Sequence, residues 1–318
     1  MRKAARLAIV AAMLVLPRAV HAHVGWGIVV APDKTIFVAD VLATTVWRIR
    51  PTGGTSVLWH GAHSHGLALD RQGNVYGENA RFAGGKFVVT VWRVNPQGHY
   101  DALFNLVTDP PAENIVLNDG LGYRYYWNGN LNQRTASQIL RVQASGAKEV
   151  ISGTTWGHRD GPKSEAKLES IGALAWGPDS SLYATEGEIG AVRRVGRDGS
   201  ISTVGGYPFA GVAHGSSDKP EASALMGIVV DSAGTVYVAD NDHHVVRAIA
   251  NDGSVRTVLS AGILWSPSGV AVGPDGIYVL EHTASWLDLL KLARFVPYLR
   301  VRKVDLAGHV STIQVISR

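Results

Sequence analysis

One pattern constrains this chain more than any other. Five segments follow a single template: GIVVAPDKTIFVAD (27–40), GLALDRQGNVYGEN (66–79), GALAWGPDSSLYATE (172–186), GIVVDSAGTVYVAD (227–240) and GVAVGPDGIYVLE (269–281). Each is a glycine, a short apolar run, a turn of Asp, Pro, Gly or Ser, and a second apolar run with an aromatic residue near its middle. Such runs around such turns read as β-hairpins. A third run carrying a basic residue follows most of them, in TVWRIRP, TVWRVNP, AVRRVGRDG and VVRAIANDG, and a fourth short run closes the unit, as in ISTVGG and VRTVLS. A weaker sixth copy, NIVLNDGLGYRYYWNG (114–129) with ASQILRVQASGAKEVISG after it, lies between the second and third.

A four-stranded unit cannot bury both of its faces alone, so copies in series must stack on one another. Six copies in one order predict an all-β chain, a single six-bladed β-propeller of four-stranded blades over residues 23–318. The matching loops DGPKSEAKLE and SDKPEASALM, which lead into the fourth and fifth units, support repetition over a β-sandwich with similar hairpins. One insert breaks the pattern. In ASWLDLLKLARFVPYLR (284–300), Trp286, Leu289, Leu290, Ala293 and Val296 recur at helical spacing, with Asp288 and Lys291 on the polar side. A short helical insert over 285–296 is expected in blade six, ended by Pro297.

The first 22 residues read differently. Arg2, Lys3 and Arg6 precede the apolar stretch Leu7–Leu16, and Val20-His21-Ala22 closes it, the layout of a secretory signal peptide. Ten apolar residues are too few to span a bilayer, which takes ~20. Cleavage after Ala22 would leave a mature chain starting at His23, periplasmic or secreted from a bacterium, and not an integral membrane protein. The whole chain has 30 Lys and Arg against 26 Asp and Glu, and no cysteine. Arg2, Lys3, Arg6 and Arg18 would leave with the signal, so residues 23–318 carry no net charge. Nucleic-acid binding, which needs a concentrated positive field, is excluded as a class. A monomer is expected.

In a propeller the loop leading into each innermost strand and the turn between second and third strands open on one face, and the unusually long loops here all fall in those two classes. That face is where a ligand should bind. The residues just before the inner-strand glycines should line its mouth: Trp26, His65, Glu113 with Asn114 in the glycine's place, Ile171, Met226 and Ser268. His65 and Glu113/Asn114 come from adjacent units and face an apolar side. His65 ends the run His60, His63, His65, of which His60 and His63 are expected at the rim. The acidic residues ending the second strands, Asp40, Glu78, Glu186, Asp240 and Glu281, are expected to accept hydrogen bonds from the following turn and third strand. His243 and His244 are expected in turn or surface roles.

Segments such as GIVVDSAGTVYVADNDHHVVRAIANDGSVRTV resemble NHL repeats, and the resemblance runs from about residue 26 to 314. It implies a propeller of a kind that includes non-enzymatic interaction domains, the peptide-amidating lyases and, more distantly, the gluconolactonase family. Gluconolactonase-type propellers hold one divalent cation with a carboxylate, an Asn and an Asp at mouth positions. Glu113 and Asn114 match two of these, while Ile171, Met226 and Ser268 stand where the Asp would be sought. Amidating lyases place one His at this position in each of three units for zinc, and here there is one, His65. Two functions therefore stand open. One is a binding module for a small molecule, glycan or peptide, with Trp26, His65, Asn114, Ile171, Met226 and Ser268 as ligand contacts. The other is a metal-assisted hydrolase or lyase, lactonase-like, with His65 and Glu113 as catalytic groups and His65, Glu113 and Asn114 around a divalent cation.

Overall fold

The repeat closes into a ring of six separate four-stranded antiparallel sheets, each built from consecutive strands. The computed structural model describes residues 25–83, 86–108, 117–118, 124–129, 137–143, 147–187, 189–206, 224–283 and 298–316. Blade 1 runs from Ile28 to His60, blade 2 from Ala68 to Thr108, blade 3 from Leu117 to Ser152, blade 4 from Ile171 to Gly206, blade 5 from Leu225 to Ser260 and blade 6 from Trp265 to Ile316. The segments expected to form the signal peptide and the helix over 285–296 lie outside the described residues, as do Glu113 and Asn114. Among the described residues no helix occurs, and so none long and apolar enough to cross a membrane.

The template's recurring residues have physical reasons. The turn aspartate between first and second strands caps its own hairpin: Asp70 Oδ1 accepts the Gln72 and Asn74 amides, and Oδ2 accepts the Tyr76 hydroxyl. Asp231 does the same with Ala233, Thr235 and Tyr237. The mid-strand tyrosine thus buries its ring and satisfies its hydroxyl on the turn, as a buried Tyr must. The inner-strand glycine answers to the neighbouring blade. A Cβ on Gly269 would lie 2.3 Å from the Trp26 carbonyl oxygen, one on Gly227 2.8 Å from Gly269 Cα, and one on Gly172 2.7 Å from the Leu225 oxygen. Around the axis the innermost strands meet backbone to backbone, which no side chain would allow.

A β-bulge interrupts the third and fourth strands at the same place in all six blades, at Val46/Trp47, Val91/Trp92, Ile139/Leu140, Val192/Arg193, Val246/Arg247 and Val301/Arg302. A bulge at this position increases twist and turns the outer strand away from the axis. The core lies between blades as a series of clusters, each drawn from two neighbours.

Among the described residues no strand is exchanged between blades 1 and 6, and the two blades meet by packing and polar contacts. Ile28, Ile36, Val38 and Ile49 of blade 1 form one cluster with Tyr278, Leu280, Leu299, Val301 and Ile316 of blade 6. Ser268 Oγ donates to the Gly25 oxygen at 2.9 Å, Lys34 pairs with Asp275 at 2.9 Å, and the Tyr298 hydroxyl donates to Asp40.

Candidate functional site at the axial mouth

Trp26 stands just ahead of the blade 1 inner strand and His65 just ahead of that of blade 2. The Trp26 amide donates to the His65 oxygen at 2.7 Å, which ties the two backbones together. Their rings stack, with centroids 5.4 Å apart and planes 25° from parallel. The indole also packs against the cluster containing Ile171 in blade 4 and the cluster containing Leu225 in blade 5, on the far side of the axis. Trp26 therefore reaches across the channel, and both Trp26 and His65 remain partly exposed.

His63 meets His65 edge-on, ring centroids 5.0 Å apart, and its amide donates to Asn79 Oδ1. His60 lies elsewhere: exposed at the end of the blade 1 outer strand, its Nδ1 is 2.9 Å from Thr45 Oγ1. The three histidines do not converge on one point. The carboxylate that the described residues bring to His65 is Glu78, whose Oε1 lies 4.0 Å from His65 Nδ1, with both side chains mostly buried.

Glu78 corrects the sequence-level alignment. Strand pairing equates Val75–Asn79 with Ile36–Asp40, because Gly77 faces Trp92 as Val38 faces Trp47. The residue matching Asp40, Glu186, Asp240 and Glu281 is therefore Asn79, and Glu78 takes the slot filled by Ala39, Thr185, Ala239 and Leu280. Side chains alternate across a strand, so a one-residue offset moves Glu78 to the opposite face. Its amide is held by Ser64 Oγ at 3.0 Å, and Ser64, fully buried, donates to the Gly66 oxygen.

The other four carboxylates are buried and hold the turn and third strand. Asp40 accepts the Ala43 amide and the Trp47 indole N–H. Asp240 accepts Arg247 Nε at 2.7 Å and lies 2.8 Å from His243 Nδ1, and Glu281 accepts Arg300 and Arg302. Glu186 pairs with Arg193 at 2.5 Å, both fully buried, and accepts the Glu169 amide. His158 Nδ1 lies 2.8 Å from the same carboxylate, and Arg193 extends to Asp160. Burial would raise the Asp160 carboxyl, but hydrogen bonds from Thr203 and the Arg193 charge outweigh it and hold the group below its ordinary range. The sequence signal for these buried arginines is a shared seven-residue step, Glu186 to Arg193 and Asp240 to Arg247. His243 belongs to its turn, and His244, in the left-handed region at φ 57°, lies 2.8 Å from the Trp265 oxygen through Nδ1.

The remaining expected mouth residues are seated in the framework. Ile171 is buried in the cluster of blades 3 and 4, Met226 packs against that of blades 5 and 6, and Ser268 is fully buried on its bond to Gly25. Among the described residues no group of three or more His, Cys, Asp or Glu is placed to hold a metal ion. His65 and Glu78 offer two donors, one short of the usual three protein ligands of a catalytic zinc.

No protein-family model matches the sequence, and neither does any curated protein. Solved structures do match. Virginiamycin B lyase from Staphylococcus aureus is 14% identical with a TM-score of 0.54, over 90% of this chain and 83% of that one. A gluconolactonase from Xanthomonas campestris is 17% identical with a TM-score of 0.55, over 80% and 81%. Regucalcin, a calcium-binding protein from Agrobacterium tumefaciens, is 14% identical with a TM-score of 0.52, over 82% of each chain. At these identities the likeness is one of fold, and this chain is a propeller of that general kind.

Proposed function

We propose that this protein is exported from a bacterial cell and binds a small, largely apolar molecule, glycan or peptide segment at the axial mouth. The carrying observation is the stacked Trp26–His65 pair, partly exposed where two blades meet on the loop-rich face. Trp26 supplies a broad apolar face, and His65, with His63 beside it, supplies polar atoms to orient what stacks there, the division of labour expected of a small-ligand site. The NHL-like reading of the repeats fits this role, since such propellers serve as interaction modules. Export rests on the basic start, apolar middle and Ala22 of the leader. N-terminal sequencing of secreted protein should return His23.

A second reading, a lyase or hydrolase at the same mouth, draws on the His65–Glu78 pair. A mostly buried carboxylate 4.0 Å from an imidazole lies beyond direct hydrogen-bond length, and would orient the ring for proton transfer by closing on it or through one bridging water. Virginiamycin B lyase offers a parallel: a histidine-to-alanine variant of that enzyme is catalytically inactive. In this reading Glu113 and Asn114 would join His65 around a divalent cation. Crystals soaked with fragments, followed by metal analysis of the purified protein, separate the two. Fragments on Trp26 without stoichiometric metal support binding, and one divalent ion per chain at His65 supports the enzyme.

A further inference from the structure

The repeat supplies its own internal control for a second site, on the face opposite the axial mouth. Opposite the mid-strand aromatic of each second strand stands a third-strand residue that is cationic in five blades: Arg48 faces Phe37, Arg93 faces Tyr76, Arg141 faces Tyr125, Arg194 faces Tyr183 and Lys303 faces Tyr278. Four of the five are neutralised by a carboxylate. Arg93 pairs with Asp101 at 2.6 Å, Arg141 with Glu149 at 2.5 Å, Arg194 with Asp179 at 2.5 Å and Lys303 with Asp275 at 3.1 Å.

Arg48 differs. Among the described residues no carboxylate lies within ion-pair distance of it; one N–H donates to the Pro96 oxygen of blade 2 at 3.0 Å, and the guanidinium sits 5.8 Å over the Phe37 ring. A guanidinium has five N–H donors in a planar fork, so most of its capacity is uncommitted. Burial first, and the nearby Arg50 charge second, lower the Arg48 pKa from its ordinary value, as expected of a partly desolvated cation beside another.

Arg48, Arg50 and Arg71 all line one cavity of about 550 Å³ between the bottom turns of blades 1 and 2. Two carboxylates also line it, outnumbered by the three arginines and each held on its own turn: Asp70 by the Gln72, Asn74 and Tyr76 donors, and Asp33 by the Thr35 amide. Exposed Pro32, Pro51 and Pro96 add rigid apolar faces to the same walls. The volume lies within the range of small-molecule sites, roughly 300–1,000 Å³.

We propose that this cavity binds a small organic anion, its carboxylate, sulfate or phosphate group on Arg48 and Arg50 and a flat ring against the prolines. Guanidinium forks match planar oxyanions bidentately, and a partly desolvated one gains most from such a partner. The site is separate from the axial mouth and does not depend on what binds there.

The test is calorimetric titration of the full chain with benzoate, phenyl phosphate and glucuronate, beside benzyl alcohol as the uncharged ring. At least one of the ring anions should bind saturably and more tightly than benzyl alcohol. Arg48→Gln should weaken that binding by at least ~10-fold, the scale of one lost charge-assisted hydrogen bond. Arg50→Gln, at an exposed position that leaves the blade intact, should weaken it several-fold, and His65→Ala should leave it unchanged. The inference is overturned if none of the three anions binds saturably, if benzyl alcohol binds as tightly, or if both arginine variants bind like the parent.

Discussion

The Tyr298 hydroxyl donates to Asp40 Oδ2 across 258 residues of sequence, joining the third strand's approach in blade 6 to the second strand of blade 1. Asp40 is 3% exposed and also accepts Trp47 and the Ala43 amide, so the tyrosine completes a carboxylate that cannot be solvated. Because no strand is shared at this junction among the described residues, the bond is part of what closes the ring. Tyr298→Phe should lower stability by about 1.5–3 kcal/mol, the usual worth of a hydrogen bond to a buried charge. Chemical denaturation followed by far-UV circular dichroism measures it, and a change below a few tenths would show that packing alone carries the closure.

The same junction bears on Gly269. Alanine there would set a Cβ 2.3 Å from the Trp26 carbonyl oxygen, a backbone atom that cannot step aside. Gly269→Ala should cost at least ~1–3 kcal/mol through forced strand displacement. Gly53→Ala, whose Cβ would meet nothing within 4 Å, is destabilised only by its φ of 86° and should cost less. The comparison of the two melting temperatures decides it.

Buried charge makes blade 4 sensitive in another way. Arg193 and Glu186 have fully buried side chains paired at 2.5 Å. Removing one partner strands the other, so Arg193→Met should destabilise by about 3–5 kcal/mol, whereas Arg194→Met, at a half-exposed pair, should cost on the order of 1 kcal/mol or less. Near-equal losses would contradict this account of the blade.

Asp275 makes closure depend on pH. Lys34 first, then Tyr278 and Lys303, hold its carboxyl far below the ordinary range. A depressed carboxyl contributes stability that is fully present above its unfolded pKa of ~3.9 and disappears as pH falls through the folded value. Lys34 is 48% exposed, so the gain is on the order of 1 kcal/mol or less. Wild type should exceed Asp275→Asn by a constant margin from pH 7 to about 5, and the margin should shrink below about 4. A margin that persists or grows in acid would be inconsistent with it.

The blades were legible because each apolar run, Asp turn and mid-strand aromatic repeats a local physical demand. The buried role of Asp40, Glu186, Asp240 and Glu281 followed from their place at a strand end. Glu78 was misread because the blade 2 hairpin continues past it, to Ala83, and no turn marks the end of the common register. The inner-strand glycines were visible, but the cause at Gly172, Gly227 and Gly269, contact with the next blade's backbone, depends on residues distant in sequence. Ile171, Met226 and Ser268 stand at mouth positions yet turn into interfaces between blades, since side-chain direction there is set by packing that periodicity does not encode. Trp26 and His65 combine position with exposure, and they carry the proposal.

The most direct measurement takes a fragment bound at the axial mouth and titrates it into wild type, Trp26→Ala and His65→Ala, with His60→Ala as the control on the neighbouring loop. The proposal predicts that Trp26→Ala and His65→Ala each weaken binding at least tenfold, roughly 1.4 kcal/mol, with folding unchanged by circular dichroism and His60→Ala indistinguishable from wild type. Binding that survives loss of both Trp26 and His65, or fragments that settle only away from them, would contradict it.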